Sequence, residues 1–414
     1  MRFLPSPVIL WSVMSTQYDC SAPLPTLPRS WCSCESPNLL AFSILITEVE
    51  TLLTEIDAVN IRRSRRILPA EWYPQSGIWL TWPHEETDWA PMLKEITETY
   101  VRIAYEIARR EPLLIVHPRA EEVRNLLCTR LPQKVVENIC FFSAPTNDTW
   151  TRDHGVLSVL STAGWELTDC CFNGWGGKFP AQHDNALTHK LHEAGIIKGA
   201  YVNALDFVLE GGSIESNGTG TILTTEQCLS TPTRGKGRTR QYIESKFEEL
   251  FGTEHVLWLT HGHLAGDDTD GHIDTLARFC PGNVIAYVKC NDKTDEHYAD
   301  LQLMEQELHE LRDADNKQYT LVPLPMAPAC FDEEGQRLPA TYANFLILPR
   351  AILLPTYADE ARDQQARRTL AQLFPKYDIV GIDARTLIQQ HGSIHCAAMQ
   401  LPRSILQPSE TYQK

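Results

Sequence analysis

No stretch of the 414-residue chain approaches the ~20 consecutive apolar residues of a membrane-crossing helix, so a helical membrane protein is excluded. Basic residues are in short supply. Lys and Arg number 37 against 53 Asp and Glu, and the net charge of −16 repels nucleic acid and anionic membranes while favouring a cationic small ligand. None of the twelve cysteines falls in a Cys-x-x-Cys pair, which removes the zinc-knuckle and thioredoxin spacings. Cys32-x-Cys34 and Cys170-Cys171 are too close for an ordinary disulfide framework, so a reducing, cytoplasmic compartment is expected. Met1–Trp11 has the flavour of a secretion signal, but two prolines interrupt it and no small-x-small cleavage site comes after it; secretion is the weaker reading.

A hydrophobic content of 43% and a charged content of 22% describe a globular protein, long enough for two or three domains or one large α/β domain. Residues 1–66 differ in character from the rest of the chain. They are Pro-, Ser- and Cys-rich at first and end in the cluster Arg62-Arg63-Ser64-Arg65-Arg66, and are expected to be an extension outside the folded unit. Beyond them helix and strand patterns alternate. Met92, Ile96, Tyr100, Ile103, Ala104 and Ile107 share one face of a helix predicted over 88–110, and Leu113–Val116 reads as a buried strand. Helical patterns at 184–195, 236–251, 295–313 and 359–373 are mostly succeeded by short apolar runs, including 255–259, 319–322 and 377–382. Such couplets imply an α/β architecture with internal repeats.

The segments between couplets carry the chemistry. The run Asp267-Asp268-Thr269-Asp270-Gly271-His272-Ile273-Asp274 allows three readings. A calcium loop with Gly271 at its sixth position would put Gly266 first and Ala277 twelfth, where oxygen ligands are required, and fails. A metal site built from His261, His263, Asp267, Asp268 and His272 has enough ligands to stay open. As a strand, the run would place His272 and Asp274 on one face, a His and a carboxylate converging on one ligand. Far downstream, Cys396 comes after Gly392-Ser393. A free cysteine is usually a small buried hydrophobe, yet a Cys with a distant His and Asp is also how a fold assembles a thiol nucleophile.

Eight motifs, in order, resemble the agmatine deiminase and bacterial-type peptidylarginine deiminase family. They are Pro69-Ala70-Glu71-Trp72, Trp79-Leu80-Thr81-Trp82-Pro83, Asn147–Asp153, Trp175-Gly176-Gly177-Lys178, Glu210-Gly211-Gly212-Ser213-Ile214, Gly266–Asp274, Tyr342-Ala343-Asn344-Phe345 and Ile394-His395-Cys396. The resemblance spans 67–405 as one catalytic domain, leaving 406–414 as a short tail. It implies a pentein fold, an α/β propeller of ββαβ units around a pseudo-fivefold axis with the active site in a central channel. It also implies hydrolysis of a guanidino group to a ureido group with release of ammonia, without metal or organic cofactor. On that template Cys396 is the nucleophile, His272 the general acid and base, and Asp153 and Asp274 the carboxylates that hold the guanidinium, with Trp150, Glu210 and Asn344 as further substrate-site residues.

Those residue types suit the task, since a planar cation is held well by paired carboxylates and a His can serve both half-reactions. Three positions depart from the family's common pattern: Asp270 where Asn often stands, Thr151 where Met does, and His391-Gly392-Ser393 in place of a Gly-Gly-Asn approach to the cysteine. Agmatine, a small dication, is the favoured substrate and a homodimer is a reasonable expectation. Peptidyl-arginine or free arginine is the alternative. An amidinotransferase or a non-catalytic binding protein on the same fold ranks lower, because every catalytic group is retained.

Overall fold

Apolar strand segments separated by amphipathic helices fold into five α/β units of one pattern, seen in a computed structural model that describes residues 66–407. In each unit a first strand runs antiparallel to a second, and a helical crossover leads to a third strand parallel to the second. The first unit pairs β2 (Gln75–Thr81), β3 (Leu113–His117) and β4 (Ile139–Ser143) with β19 (Ala398–Pro402), the last strand among the described residues. Its crossovers are α1 (Leu93–Ala108) and α2 (Ala120–Arg130).

The second unit holds β5 (Leu157–Ser161), β6 (Gly164–Cys171), α3 (Leu187–Glu193) and β7 (Ala200–Val208), with β1 (Arg66–Ile67) on its edge. The third is β8 (Ile214–Ser216), β9 (Thr221–Thr225), α4 (Arg240–Phe251) and β10 (His255–Leu259). The fourth is β11 (Ala277–Cys280), β12 (Val284–Lys289), α5 (Tyr298–Glu310) and β13 (Thr320–Pro325). A small hairpin, β14 (Cys330–Phe331) with β15 (Arg337–Leu338), precedes the fifth unit. That unit is β16 (Leu346–Leu348), β17 (Ala351–Thr356), α6 (Glu360–Leu373) and β18 (Asp378–Asp383).

Local chemistry sets the helix limits inside the predicted spans. Pro91 opens a 3-10 turn over Ala90–Met92, so the regular helix starts at Leu93 rather than near 88. Thr239 and Asp359 cap α4 and α6 by accepting the N–H of Tyr242 and Arg362. Gly252, at φ 66°, ends α4 in a left-handed turn. The helices bury one face against the central strands, as α1 does with Ile96, Tyr100, Ile103 and Ile107, all at 0% exposure.

The C-terminal end of the described region takes part in the packing. Leu406 is buried and bridges Ile197, and Gln407 donates its N–H to Ile196 O, so ordered contacts run past 405 to the last described residue. Residues 1–65, which carry most of the expected extension and the secretion-like segment, lie outside the described residues, as do 408–414. Among the described residues no helix is long and apolar enough to cross a membrane.

Candidate active site

The same short piece of chain matters in every unit: the turn that feeds the first, antiparallel strand. Ahead of β5 is the helical turn Thr151–His154; ahead of β8, Gly211–Ser213; ahead of β11, Ile273–Thr275. Asn344 precedes β16, and Cys396 precedes β19. These five turns touch one another in a ring. The Arg152 N–H donates to Cys396 O at 3.0 Å, and the Gly212 N–H to Asp153 Oδ1 at 3.0 Å. Asn344 Nδ2 reaches Asp274 O at 3.5 Å, while Asn344 Oδ1 accepts the N–H of His395 and of Cys396 at 3.0 and 3.2 Å. Repetition of one backbone pattern thus brings five turns, and the side chains they carry, to one place.

Cys396 stands at the centre. Its sulfur lies 3.2 Å from Asn344 Nδ2 and 3.6 Å from Asp274 Oδ2, and it lines a cavity of about 470 Å³ together with His272, Asp153, Trp150 and Trp175. Burial, then the charges of Asp274 and Asp153, push the Cys396 thiol well above its ordinary value, so without a ligand it is a protonated thiol.

Asp153 uses both oxygens: Gly212 N–H on one, Trp175 Nε1–H on the other at 2.9 Å. Burial lifts its pKa to about 6, with the neighbouring Asp274 adding to the rise and His272 opposing it. His272 Nδ1 is 3.6 Å from Asp153 Oδ1. Burial works against an imidazolium there, but Asp153, Cys228 and Glu210 outweigh it and hold His272 well above its usual pKa. Asp274 stays below the carboxylate range despite burial, because His395 donates to it at 2.7 Å. Asp274 Oδ1 and His272 Nε2 are among the buried polar atoms without a hydrogen-bond partner. An orphaned acceptor and an orphaned ring nitrogen beside a thiol are open valences of the kind a bound ligand satisfies.

The glycines are steric requirements here. A Cβ on Gly212 would lie 2.7 Å from His272 Nδ1 and 2.8 Å from Asp153 Oδ1, inside the site itself. One on Gly392 would lie 2.3 Å from the Trp150 ring.

The expected residues divide into two layers. Cys396, His272, Asp153 and Trp150 line the cavity. Asn344, Asp274 and Glu210 are fully buried behind it: Asn344 supports the thiol, Asp274 reaches it, and Glu210 holds Arg234 Nε with both oxygens at 3.0 Å rather than forming the wall. His272 and Asp274 are not on a strand. His272 is the N-cap of the 3-10 turn Ile273–Thr275 and Asp274 lies within it. The turn is closed by the Leu276 N–H on Ile273 O and by Thr275 Oγ1 on His272 O, and it rather than a two-residue alternation brings the pair to the site.

The alternative metal site is not assembled. His261 pairs with Glu307 at 2.8 Å, and with His263 it lines a different cavity from the one that holds His272, Asp267 and Asp268. Among the described residues one trio, Glu210, Cys228 and His272, brings its ligand atoms within 4.8 Å of one another. Arg234, bonded to both Glu210 oxygens, sets a fixed positive charge against a metal ion there.

Each departure from the family pattern has its own accommodation. Asp270, at φ 65°, is neutralised by Arg234 Nη1 at 2.5 Å and Lys178 Nζ at 3.0 Å. Thr151 accepts the Thr81 N–H at 2.8 Å and is buried. His391 takes a left-handed φ of 63°, where glycine is at ease, and holds Gly266 O through Nδ1 at 2.7 Å.

Residues missed as functional are Trp175, which orients Asp153, and the buried set Glu71, Arg152, Arg278 and His395 behind Asp274. Glu71, Arg152, Trp175 and His395 lay within the recognised motifs. Their role was hidden because pairing partners between 22 and 324 residues apart, from Trp175 with Asp153 to His395 with Glu71, leave no local pattern.

A buried thiol, an imidazole and two carboxylates, gathered by turns of five like-built units, define an α/β protein fitted to a small planar cation. The comparisons with known proteins agree, for the Porphyromonas-type peptidyl-arginine deiminase family matches residues 67–402. The chain belongs to that family of deiminases, hydrolases acting on amidines. A Porphyromonas gingivalis structure provisionally named as an arginine deiminase is 49% identical, with a TM-score of 0.78, covering 83% of this chain and 100% of its own. A C. jejuni agmatine deiminase, solved as a cysteine-to-serine variant with substrate bound, is 36% identical with a TM-score of 0.75, covering 82% of this chain and 97% of its own. A Legionella pneumophila protein provisionally named agmatine deiminase is 35% identical over 81% of this chain and 95% of its own length.

Proposed function

We propose that the protein hydrolyses agmatine to N-carbamoylputrescine and ammonia, on a pentein propeller in which the five units close around a pseudo-fivefold axis. The observation that carries the substrate is the charge of the cavity from end to end. Its deep end holds the Cys396 thiol beside Asp153 and Asp274, and its outer wall carries Asp88, Asp148, Asp267 and Asp268, all at least partly exposed. A chain with a guanidinium at one end and an ammonium at the other satisfies both ends. Free arginine would present its carboxylate to that acidic wall, and a neutral peptide backbone would leave the charges unmatched.

The mechanism rests on the states of the groups. The guanidinium sits between Asp153 and the free Oδ1 of Asp274, and its positive charge offsets the two carboxylates that keep Cys396 protonated. Activation of the thiol by the substrate itself is thereby favoured over a standing thiolate. Sulfur bonds to the central carbon; the imidazolium of His272 protonates one amino nitrogen, the thiol proton replaces the one His272 gives, and the C–N bond breaks to release ammonia. The product of this half-reaction is a cationic S-alkylthiouronium on Cys396. His272 then gives its proton to solvent. Water, deprotonated by the neutral imidazole, bonds to the same carbon, the C–S bond breaks, the second water proton returns to the thiol, and the ureido group leaves, so that one net proton is released per cycle. Trp150 walls the cavity and Asn344 orients the sulfur. Glu210 acts from behind His272, through its charge.

The test is incubation with agmatine, free arginine and an arginine peptide, reading ammonia and ureido product. Agmatine should give the highest kcat/KM, and absence of turnover with all three would sink the reading.

A further inference from the structure

Behind Asp274 lies a second ring of charge that the reaction scheme leaves without a task. His395 is fully buried, and each of its ring nitrogens meets a carboxylate oxygen: Nδ1 is 2.7 Å from Asp274 Oδ2, and Nε2 is 2.6 Å from Glu71 Oε1. A neutral imidazole has one N–H donor. With both carboxylates ionised, one of these short contacts would set lone pair against lone pair, so the three groups must share a second proton.

The surrounding charges place that proton on His395. Arg152 Nη1 lies 3.1 Å from Glu71 Oε1; Arg278 bonds Glu71 Oε2 through Nη2 and Glu215 Oε2 through Nε at 3.0 Å. The other Glu215 oxygen accepts the Phe279 N–H, so both of its oxygens are needed as acceptors. Burial pushes Glu215 up to about 8 with Arg278 opposing, but both of its oxygens accept, from Arg278 Nε and the Phe279 N–H. With it ionised, the three carboxylates Glu71, Glu215 and Asp274 face two guanidinium groups, and an imidazolium at His395 balances the group. Asn344, which accepts the His395 and Cys396 N–H groups, and the Cys396 thiol on Asp274 complete the polar surroundings. Burial and the two arginines push His395 toward the neutral ring, but the two contacts on opposite ring nitrogens decide against it.

We infer that His395 is a positioning residue, which with Glu71 holds Asp274 ionised and turned so that one oxygen stays free for the guanidinium. The geometry supports each part. Oδ2 of Asp274 is tied to His395, while Oδ1 is buried without a partner in the ligand-free protein. Glu71 in turn fixes the ring, and lines a second cavity with Arg152, Gln75 and Gln400 that shares no residue with the first. His395 touches no reacting atom; it acts through Asp274.

The inference rests on the proposed deimination, and the experiment separates the two. In His395→Gln, Asp274 loses its charged partner and burial raises its pKa past that of Asp153, which at about 6 sets the wild-type acidic limb, so the limb of kcat/KM for agmatine should move up by at least about one pH unit. Activity should fall about 100-fold at low pH and recover to within about 10-fold of wild type above the limb. Glu71→Gln should move the limb the same way by less. A loss equal at every pH, or an unmoved limb in a variant that melts like wild type, would overturn the inference. If His395→Gln does not fold, an unmoved limb in Glu71→Gln overturns it equally. Wild-type protein inactive on every guanidine sinks the deimination instead; the Asp274 carboxyl pKa, read by carbon-13 NMR, must even then rise in the variant.

Discussion

Cys396 is one thiol among nine in the described residues, and what separates it is the cavity it lines with Asp153 and His272; Cys228 also meets His272 and Glu210 but does not line that cavity. Cys140 is also buried and also lifted, to about 11, by burial, with Arg124 opposing the rise, but it faces neither an acid pair nor an imidazole. Cys396→Ser should therefore abolish turnover, by at least about 1,000-fold, without a change in melting temperature. A residual rate near wild type would remove the cysteine from the scheme. The outer wall makes a separate prediction. Asp148 is pushed up to about 7 by burial, so as pH falls through 7 the wall loses charge. The KM for agmatine should rise over that interval, and Asp148→Asn should raise KM about 10-fold at pH 8 with kcat little changed. An equal loss in kcat would place Asp148 in the chemistry instead. His272, held well above its usual pKa, keeps its proton at neutral pH, as its role in ammonia departure needs.

At the scale of elements, the turns ahead of each first strand carry the candidate site, while helices and strands form the core around it. Gly212→Ala should cost at least about 100-fold in kcat/KM with little effect on folding, since its Cβ would enter the space between His272 and Asp153. Undiminished activity would show that this turn can yield. The connection from α1 to β3 tests stability alone. Glu111 is 4% exposed, neither carboxylate oxygen has a hydrogen-bond partner, and burial lifts its pKa to about 8. Its folded pKa lies above the unfolded one, so its contribution to stability is full below about 4.5 and lost as pH rises through about 8. Glu111→Gln should thus gain on wild type as pH rises from 5 to 9, by about 1–3 kcal/mol in denaturant titrations. A gap that does not change with pH would contradict the assignment.

The same division explains what the sequence could reveal. Helices α1, α4, α5 and α6 were legible because apolar residues recur at helical spacing and caps such as Thr239 and Asp359 mark their starts. The 3-10 turn at Ile273–Thr275 was not, because three residues hold no period, and His272 and Asp274 two apart read equally well as strand. Cys396, His272, Asp153 and Asp274 were identifiable through family motifs and through the chemistry of a planar cation. The support behind them was not: Trp175 meets Asp153, and His395 meets Glu71, only after the chain has closed.

For the whole molecule, closure by the last strand among the described residues is the structural condition for the site. β19 pairs with β2 near the start of the folded region, and Cys396 lies just before it. Truncation ahead of Ala398 should remove this strand and abolish cooperative folding, whereas a two-state melt in the truncated protein would show that four units suffice. Net charge acts at the same scale. With a charge of −16 and an acidic cavity, kcat/KM for agmatine should fall several-fold as ionic strength rises from about 0.02 to about 0.3 M, since screening weakens attraction of a dication. The most direct measurement is the identity of the covalent species on the protein during turnover of agmatine, trapped by acid and located by mass spectrometry. The account predicts an adduct on Cys396 with the mass of agmatine less ammonia, formed and lost at rates compatible with kcat and absent in Cys396→Ser. Turnover of agmatine with no adduct on Cys396, or with one on another residue, would contradict it.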